Sequence, residues 1–282
     1  MNVIFGATGV VGGAVLDELH QRRLPVRAVS RIRTPHIQAM EHVRVDLSTG
    51  EGLAASLEGA HSVFLMTGDM VDQVGAEVRV IEAARHAGVR RLVKLSILGA
   101  ESEAFFLARV HRAIEREVER SGLSFTMLRP GGFMQNFITY YGHSLRTEGV
   151  LRMPWRDEKE SPIDARDIAR VAAACLSSER FAGRSLDLFG PQALSYPEMV
   201  HTLARVSGRT LTYESVSDAA YREAVLPYSV SPAHVDGLID MFRFHREGRA
   251  PSPHASVLEV TGTPPRSFEA FAKEHATFWR GS

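Results

Sequence analysis

The stretch "VIFGATGVVGG", Val3 to Gly13, constrains the fold more than any other part of the chain, because its glycines fall where a strand gives way to a helix. Gly6, Gly9 and Gly12 recur at intervals of three. One permits a tight turn, one lets the backbone approach a pyrophosphate, and one allows close helix-strand packing. The N–H groups at the helix start, at Val10, Val11 and Gly12, would face the anion, and Thr8 adds a hydroxyl. A glycine-rich turn that binds nothing is the bland alternative. The apolar strand before it and the amphipathic helix after it are the setting expected of a dinucleotide fingerprint.

The rhythm that follows supports the same fold. "NVIFG", "VRAVS", "VRVDL", "SVFLM", "RLVKLS" and "FTMLRP" read as strands, with helical periodicity in "VGGAVLDELHQRR", "QVGAEVRVIEAARHAG" and "FFLARVHRAIEREVERSG" between them. Strand-helix alternation predicts right-handed crossovers and an α/β, Rossmann-like, doubly wound parallel sheet over residues 1–150. Beyond Gly149 prolines become frequent and strands short, which predicts a smaller, mainly helical C-terminal lobe over 151–282 that covers substrate. "SLDLF" near 185–189 could return to the edge of the main sheet.

Charge and cysteine content narrow the partners. Thirty-three basic and 33 acidic residues cancel, so no electrostatic footprint for nucleic acid or an anionic membrane is expected. No apolar run approaches the roughly 20 residues of a bilayer-spanning helix. Cys175 stands alone and excludes an intrachain disulfide, and no apolar secretory segment opens the chain, so a reducing cytoplasmic setting is expected. A small-molecule partner remains, with a homodimer left open.

The second strand ends at Ser30, where a cofactor with a free ribose hydroxyl would usually meet a carboxylate. "SRIR" instead supplies Ser30, Arg31 and Arg33, which suit the 2′-phosphate of NADP(H); otherwise the arginines are solvated loop charges. Asp46, with Leu47 beside it, could accept from the adenine amine or cap the next helix. Thr67 and Gly68 follow the fourth strand, over whose end a dinucleotide should run, although Gly68 could simply make a turn.

With "GATGVVGG", "SR" after the second strand, "LSILGA", "SGLSFTMLRPGGFMQN" and "TGTPPRSFEAFAKEH" in order, the chain resembles the NmrA-like family of atypical short-chain dehydrogenase/reductases over essentially its whole length. Within it, the resemblance is greatest to the bacterial quinone oxidoreductase and triphenylmethane reductase group. It implies a Rossmann-like domain, a smaller lobe and NADP(H) across the strand ends. Some members reduce quinones, dyes or other conjugated substrates, and others bind the dinucleotide as regulators.

Typical short-chain dehydrogenases carry Tyr-x-x-x-Lys on the helix after the fifth strand. Here Leu107 stands at the tyrosine position and His111 at the lysine position, with Glu115 four residues on, so ordinary ketone reduction is not expected. Leu107, His111 and Ile114 share a helical face, which turns His111 toward the sheet and cofactor. His111 could bond the nicotinamide ribose or, with a reference pKa near 6.5, pass a proton to substrate; alternatively it is a hydrogen-bonded core residue. Ser96, at the family's strand-end serine position, could orient cofactor or substrate, or cap a loop. In "LRPGGFMQN", Pro130 and Gly131 would let the backbone approach the nicotinamide carboxamide. Phe133, Met134 and Asn136 would line the cleft's lip, unless the two apolar residues are core contacts.

"HRAIE" gives only two of the ligands a metal site needs, and "GHSLR" around Ser144 lacks the glycines of a nucleophile elbow. The expected activity is NADPH-dependent hydride transfer to a small conjugated acceptor, a quinone, dye, enone or imine, with His111 or water completing the protonation. The alternative is an NADP(H)-sensing regulator that turns nothing over.

Overall fold

The computed structural model describes residues 1–32, 40–68, 70–248 and 255–280. The first half runs β1 (Asn2–Phe5), α1 (Val10–Gln21), β2 (Val26–Ser30), β3 (Glu41–Arg44), α2 (Leu53–Leu57), β4 (Ser62–Leu65), α3 (Gln73–His86), β5 (Arg91–Leu95), α4 (Phe106–Arg120) and β6 (Ser124–Pro130). The strands carry the near-continuous apolar runs of a sheet covered on both faces, and each helix shows one buried stripe.

The second half runs α5 (Asn136–Thr139), α6 (Gly142–Thr147), β7 (Val150–Met153), β8 (Lys159–Glu160), α7 (Ala165–Ser177), β9 (Arg184–Leu188), β10 (Leu194–Ser195), α8 (Tyr196–Ser207), β11 (Thr212–Ser215), α9 (Asp218–Val225), α10 (Pro232–Arg246), α11 (Ser256–Thr261), α12 (Phe268–Glu274) and α13 (Ala276–Trp279).

The main sheet has seven parallel strands in the order β3-β2-β1-β4-β5-β6-β9, so the chain winds outward in both directions from β1 and β4. That reversal opens the crevice at the carboxyl ends of the strands where ligands of such sheets bind. "SLDLF" does return: β9 pairs with β6, Leu186 opposite Leu128. One face of the sheet is covered by α1 and α7, whose Val11, Val15, Ile168 and Ala172 are buried with Ile4 and Phe64. The other face is covered by α3 and α4 through Val80, Ile81, Ile114 and Val118. Residues 165–188 thus lie with the sheet rather than over its edge.

A separate apolar cluster builds the lobe around Phe137, Trp155, Tyr196, Phe242, Phe268 and Trp279. Two minor sheets tie it together: β7 runs parallel to β11, and β8 runs antiparallel to β10, placing Glu160 opposite Leu194. Helix α8 begins with a capping box, Ser195 accepting from the Glu198 N–H while the Glu198 carboxylate accepts from Ser195 N–H. The cap fixes where Tyr196, the first residue of α8, enters the lobe. No helix among the described residues is long and apolar enough to cross a membrane.

Candidate functional site

The glycine turn has the geometry its spacing predicts. Gly6 sits at φ +72°, a conformation open chiefly to glycine, and a Cβ at Gly12 would lie 2.1 Å from the Gly6 carbonyl oxygen. Gly9 is the N-cap of α1 and has no side chain to satisfy the first N–H groups of the helix. Val11 and Gly12 are buried beneath the turn, whereas Thr8, Gly9 and Val10 are exposed, Val10 at 42 %. Thr8, Gly9 and Val10 line a cavity of about 360 Å³ shared with Ala7, Gln135 and Arg166. An uncapped helix N-terminus, closely backed by glycines and open to solvent at the strand switch, fits a diphosphate.

The adenosine-side candidates divide. The Ser30 hydroxyl donates to the Ile32 carbonyl at 2.5 Å and lies 2.9 Å from His42 Nε2. Arg31 is exposed and close enough to help hold the Asp46 carboxyl below the usual carboxylate range. The main cause of that lowering is Ser48, whose hydroxyl and N–H both donate to Asp46 Oδ1, at 2.5 and 2.8 Å. Asp46 therefore closes a tight turn rather than capping a helix. It also lies beyond the third strand, which ends at Arg44 rather than carrying through "VRVDL". Leu47 packs partly buried against the sheet cluster. Arg33 lies outside the described residues.

Behind the strand ends the charges are buried and paired. The fully buried Lys94, on β5, holds Glu77 of α3 at 2.9 Å and donates to the Leu95 carbonyl. Thr67, which follows β4, donates to the same carboxylate at 2.8 Å, so its hydroxyl serves Glu77, while Gly68 beside it faces open space. One strand over, Ser96 donates to Glu115 at 2.7 Å, and Arg129 of β6 grips Glu115 with two N–H groups at 2.8 and 2.7 Å. Burial pushes the Glu115 carboxyl up, but the Arg129 and Ser96 bonds outweigh it and the net shift is down. Neither Ser96 nor Thr67 is simply a free hydroxyl in the cleft.

His111 is half-buried on α4 and turned to the sheet, as its spacing with Ile114 predicts. Its imidazole is not the near-neutral titrating group expected. Burial lowers its pKa well below 6.5, and the Lys94 ammonium lowers it further. His111 is neutral at working pH, and its buried Nδ1 has no hydrogen-bond partner among the described residues. A polar nucleotide group would satisfy that orphan; a proton held ready for substrate is not there.

The loop after β6 runs along the sheet's carboxyl edge. The Pro130 carbonyl accepts from Leu98 N–H at 3.1 Å, and Gly131 N–H donates to Leu188 at 3.1 Å. Met134 is fully buried in the lobe cluster and Phe133 packs against the sheet cluster, so the lip assigned to them is made of core contacts. Half-buried Asn136 begins α5. Among the described residues, no three His, Cys, Asp or Glu side chains group to hold a metal ion.

The match to the NmrA-like family runs from residue 2 to residue 270. The chain belongs to that family. It is 31% identical over 281 residues to an NAD(P)H azoreductase of Xenophilus azovorans, with 98% of each chain covered. It is 33% identical over 284 residues to a (4-alkanoyl-5-oxo-2,5-dihydrofuran-3-yl)methyl phosphate reductase of Streptomyces griseus, again over 98% of each. An Escherichia coli NADPH-dependent quinone oxidoreductase complexed with NADPH superposes with a TM-score of 0.84 at 24% identity, covering 97% of this chain and 99% of that one. That last likeness speaks for the fold.

This NmrA-like chain has a further group of polar side chains that the sequence did not announce. Glu160 of β8 reaches to Gly132, where a Cβ would stand 2.8 Å from its Oε2. Its carboxyl meets the Tyr196 hydroxyl, which meets that of Tyr141. The one available sign was the doubled glycine in "RPGGF", since a second glycine at a strand end marks a close approach.

Proposed function

We propose that the protein is an NAD(P)H-dependent reductase, using NADPH by preference, that delivers hydride to a small conjugated acceptor in the cleft between the sheet's carboxyl edge and the lobe. The observation that carries the reading is the uncapped, exposed start of α1 at the strand switch, with Gly6 and Gly12 packed too tightly to admit a Cβ. Two relatives at 31% and 33% identity over nearly the whole chain are both reductases, one of an azo bond and one of a dihydrofuranone phosphate. Both names describe π-conjugated acceptors, and a quinone, dye, enone or imine belongs to the same chemical class.

The bound nucleotide would supply the hydride. The Val10 and Val11 amides would hold the diphosphate, with Thr8 beside them, and exposed Arg31 the 2′-phosphate. His111 would bond the nicotinamide ribose through its unpartnered nitrogen, and Gly131 would admit the carboxamide against the backbone. A second reading, an NADP(H) sensor, draws on Leu107 and His111 standing at the tyrosine and lysine positions of catalytic short-chain dehydrogenases.

Anaerobic NADPH oxidation against quinones, azo and triarylmethane dyes, enones and imines tests the reading, alongside titration with NADPH and NADH. Binding with no turnover on any class would leave the sensor. Arg31→Ala should weaken NADPH about tenfold, the value of one lost charge-assisted bond, with NADH nearly unchanged. An unaltered NADPH to NADH ratio would remove Arg31 from the phosphate site.

A further inference from the structure

We infer that Glu160 is the general acid of this site, donating its carboxyl proton to the heteroatom of the acceptor, with Tyr196 and Tyr141 positioning and stabilising the carboxylate left behind. The inference rests on the reductase reading above and supplies what that reading lacks, because with His111 neutral and Leu107 at the tyrosine position neither of those two positions gives the acceptor a side-chain acid, which leaves water.

Three observations place the group. Glu160 stands against Gly132, directly beyond the strand end that would carry the nicotinamide ring, and any side chain at Gly132 would displace it. It is half-buried, so its carboxyl is largely wrapped by protein and still keeps some contact with solvent. It is also held from behind, since Tyr196 is 4% exposed, and its ring packs against Trp155 and Phe137, at 5.5 and 6.1 Å between centroids. Tyr141 meets Phe137 edge-on at 5.4 Å and is half-buried.

Among the described residues, the groups around Glu160 are mostly uncharged. From α8 comes Tyr196, from the start of α6 comes Tyr141, with Tyr221 of α9 behind it, and each is a neutral phenol whose ionisation burial opposes. Lys159, its chain neighbour, is turned to Glu198 at 3.1 Å. Strand β10 offers Leu194 and Ser195, and the facing loop offers Gly132. Burial accordingly pushes the carboxyl up to about 7, and the Tyr196 hydroxyl holds it back from going further. A carboxyl of this kind keeps its proton until substrate asks for it.

The step balances. Hydride, which the bound nucleotide would supply by breaking its C–H bond, would form a new bond to one end of the conjugated π system, and the electron pair of that system would move to an oxygen or nitrogen at the other end. The Glu160 O–H bond then breaks, its proton forms the new O–H or N–H bond, and the carboxylate regains a proton from water. An acceptor that is already a cation, such as a triarylmethane dye, becomes neutral on receiving hydride and needs no proton.

Glu160→Gln keeps the shape and removes the acid. Infrared titration of the nucleotide-free protein should show a protonated carboxyl that ionises near neutral pH and is absent from the variant; no such difference overturns the assignment whatever the protein's activity. With NADPH affinity within about twofold of wild type, turnover of quinone or azo acceptors should fall on the order of 10²–10⁴-fold and lose its alkaline limb. Turnover of a cationic triarylmethane dye should be unchanged, and an equal loss on both classes would make Glu160 structural. Tyr196→Phe should move the alkaline limb to higher pH, and an unmoved limb would sever the tyrosine from the acid. If wild type turns over nothing, the reductase reading fails, while the infrared result still judges whether Glu160 holds a proton.

Discussion

Two ionisable groups, His111 of α4 beside Lys94 of β5 and Glu160 of β8 beside Gly132 after β6, are treated by burial in opposite ways. His111 approaches from the sheet side, beside Lys94, and is driven to its neutral base form. Glu160 approaches from the lobe, among phenols, and is driven toward its neutral acid form. Low dielectric disfavours charge on both, yet of the two neutral species only the carboxylic acid gives up its proton readily near neutral pH, the imidazole N–H being a far weaker acid. The sheet side already holds its cations in fixed pairs, Lys94 with Glu77 and Arg129 with Glu115, and a further positive charge there is repelled. Among the described residues, the lobe side shows no such ion pair for Glu160. On the reading proposed above, paired charges would build the surface against which nucleotide lies, and a carboxyl raised by burial would face it.

The sharpest way to break this division is to unpair a sheet charge. Lys94→Met leaves Glu77 buried with the neutral donors Thr67 and Gln73 in place of a cation, and should destabilise the fold by about 3–5 kcal/mol in urea unfolding. Adding Glu77→Leu should recover most of that loss, since replacing a whole buried pair by apolar side chains is often near neutral. A single variant that unfolds like wild type would mean the pair is not the scaffold proposed for the strand ends.

Glu160 should behave otherwise, and in a pH-dependent way. A carboxyl whose folded pKa is raised to about 7 binds more protons folded than unfolded between about 4.5 and 7, so its contribution is present at low pH and is lost as pH rises through that window. Glu160→Gln cannot ionise. The variant should therefore gain on wild type by about 1–2 kcal/mol between pH 5 and pH 8, allowing for Glu160's partial exposure. Thermal melts across that range measure it, and parallel curves for the two proteins would return Glu160 to an ordinary solvated carboxylate.

These contrasts also mark what sequence can and cannot carry. The strand, glycine turn and helix at residues 2–21 are local, so their spacing sufficed, and the helical face of α4 rightly turned His111 inward. "VRVDL" misled because Asp46 bridges to Glu51 and closes a turn, which ends β3 at Arg44. The state of His111 depends on Lys94, seventeen positions earlier on another element, and helical spacing says nothing of that neighbour. Glu160 was less visible still. It lies in the charged run "RDEKE" and reads as solvated, and its burial comes from a two-residue strand, a distant helix start at Tyr196 and the glycine at 132. Contacts of such separation leave no periodic trace.

The smallest effect tests the other half of the comparison. His111, held neutral, refuses the proton that an unfolded histidine accepts below about 6.5, so its contribution is complete above that pH and is lost as pH falls. His245, half-buried beside Phe105 and Phe244 and pushed down to about 4 by the desolvation there, acts in the same direction and sets a background. His111→Leu should remove only the first part, making unfolding at pH 5.5 milder relative to pH 7.5 by about 1 kcal/mol. The readout is the slope with pH, not the intercept, because leucine also changes the packing. An unchanged acid slope would mean that His111 already accepts a proton in the folded protein, and the sheet side would then hold a proton donor of its own.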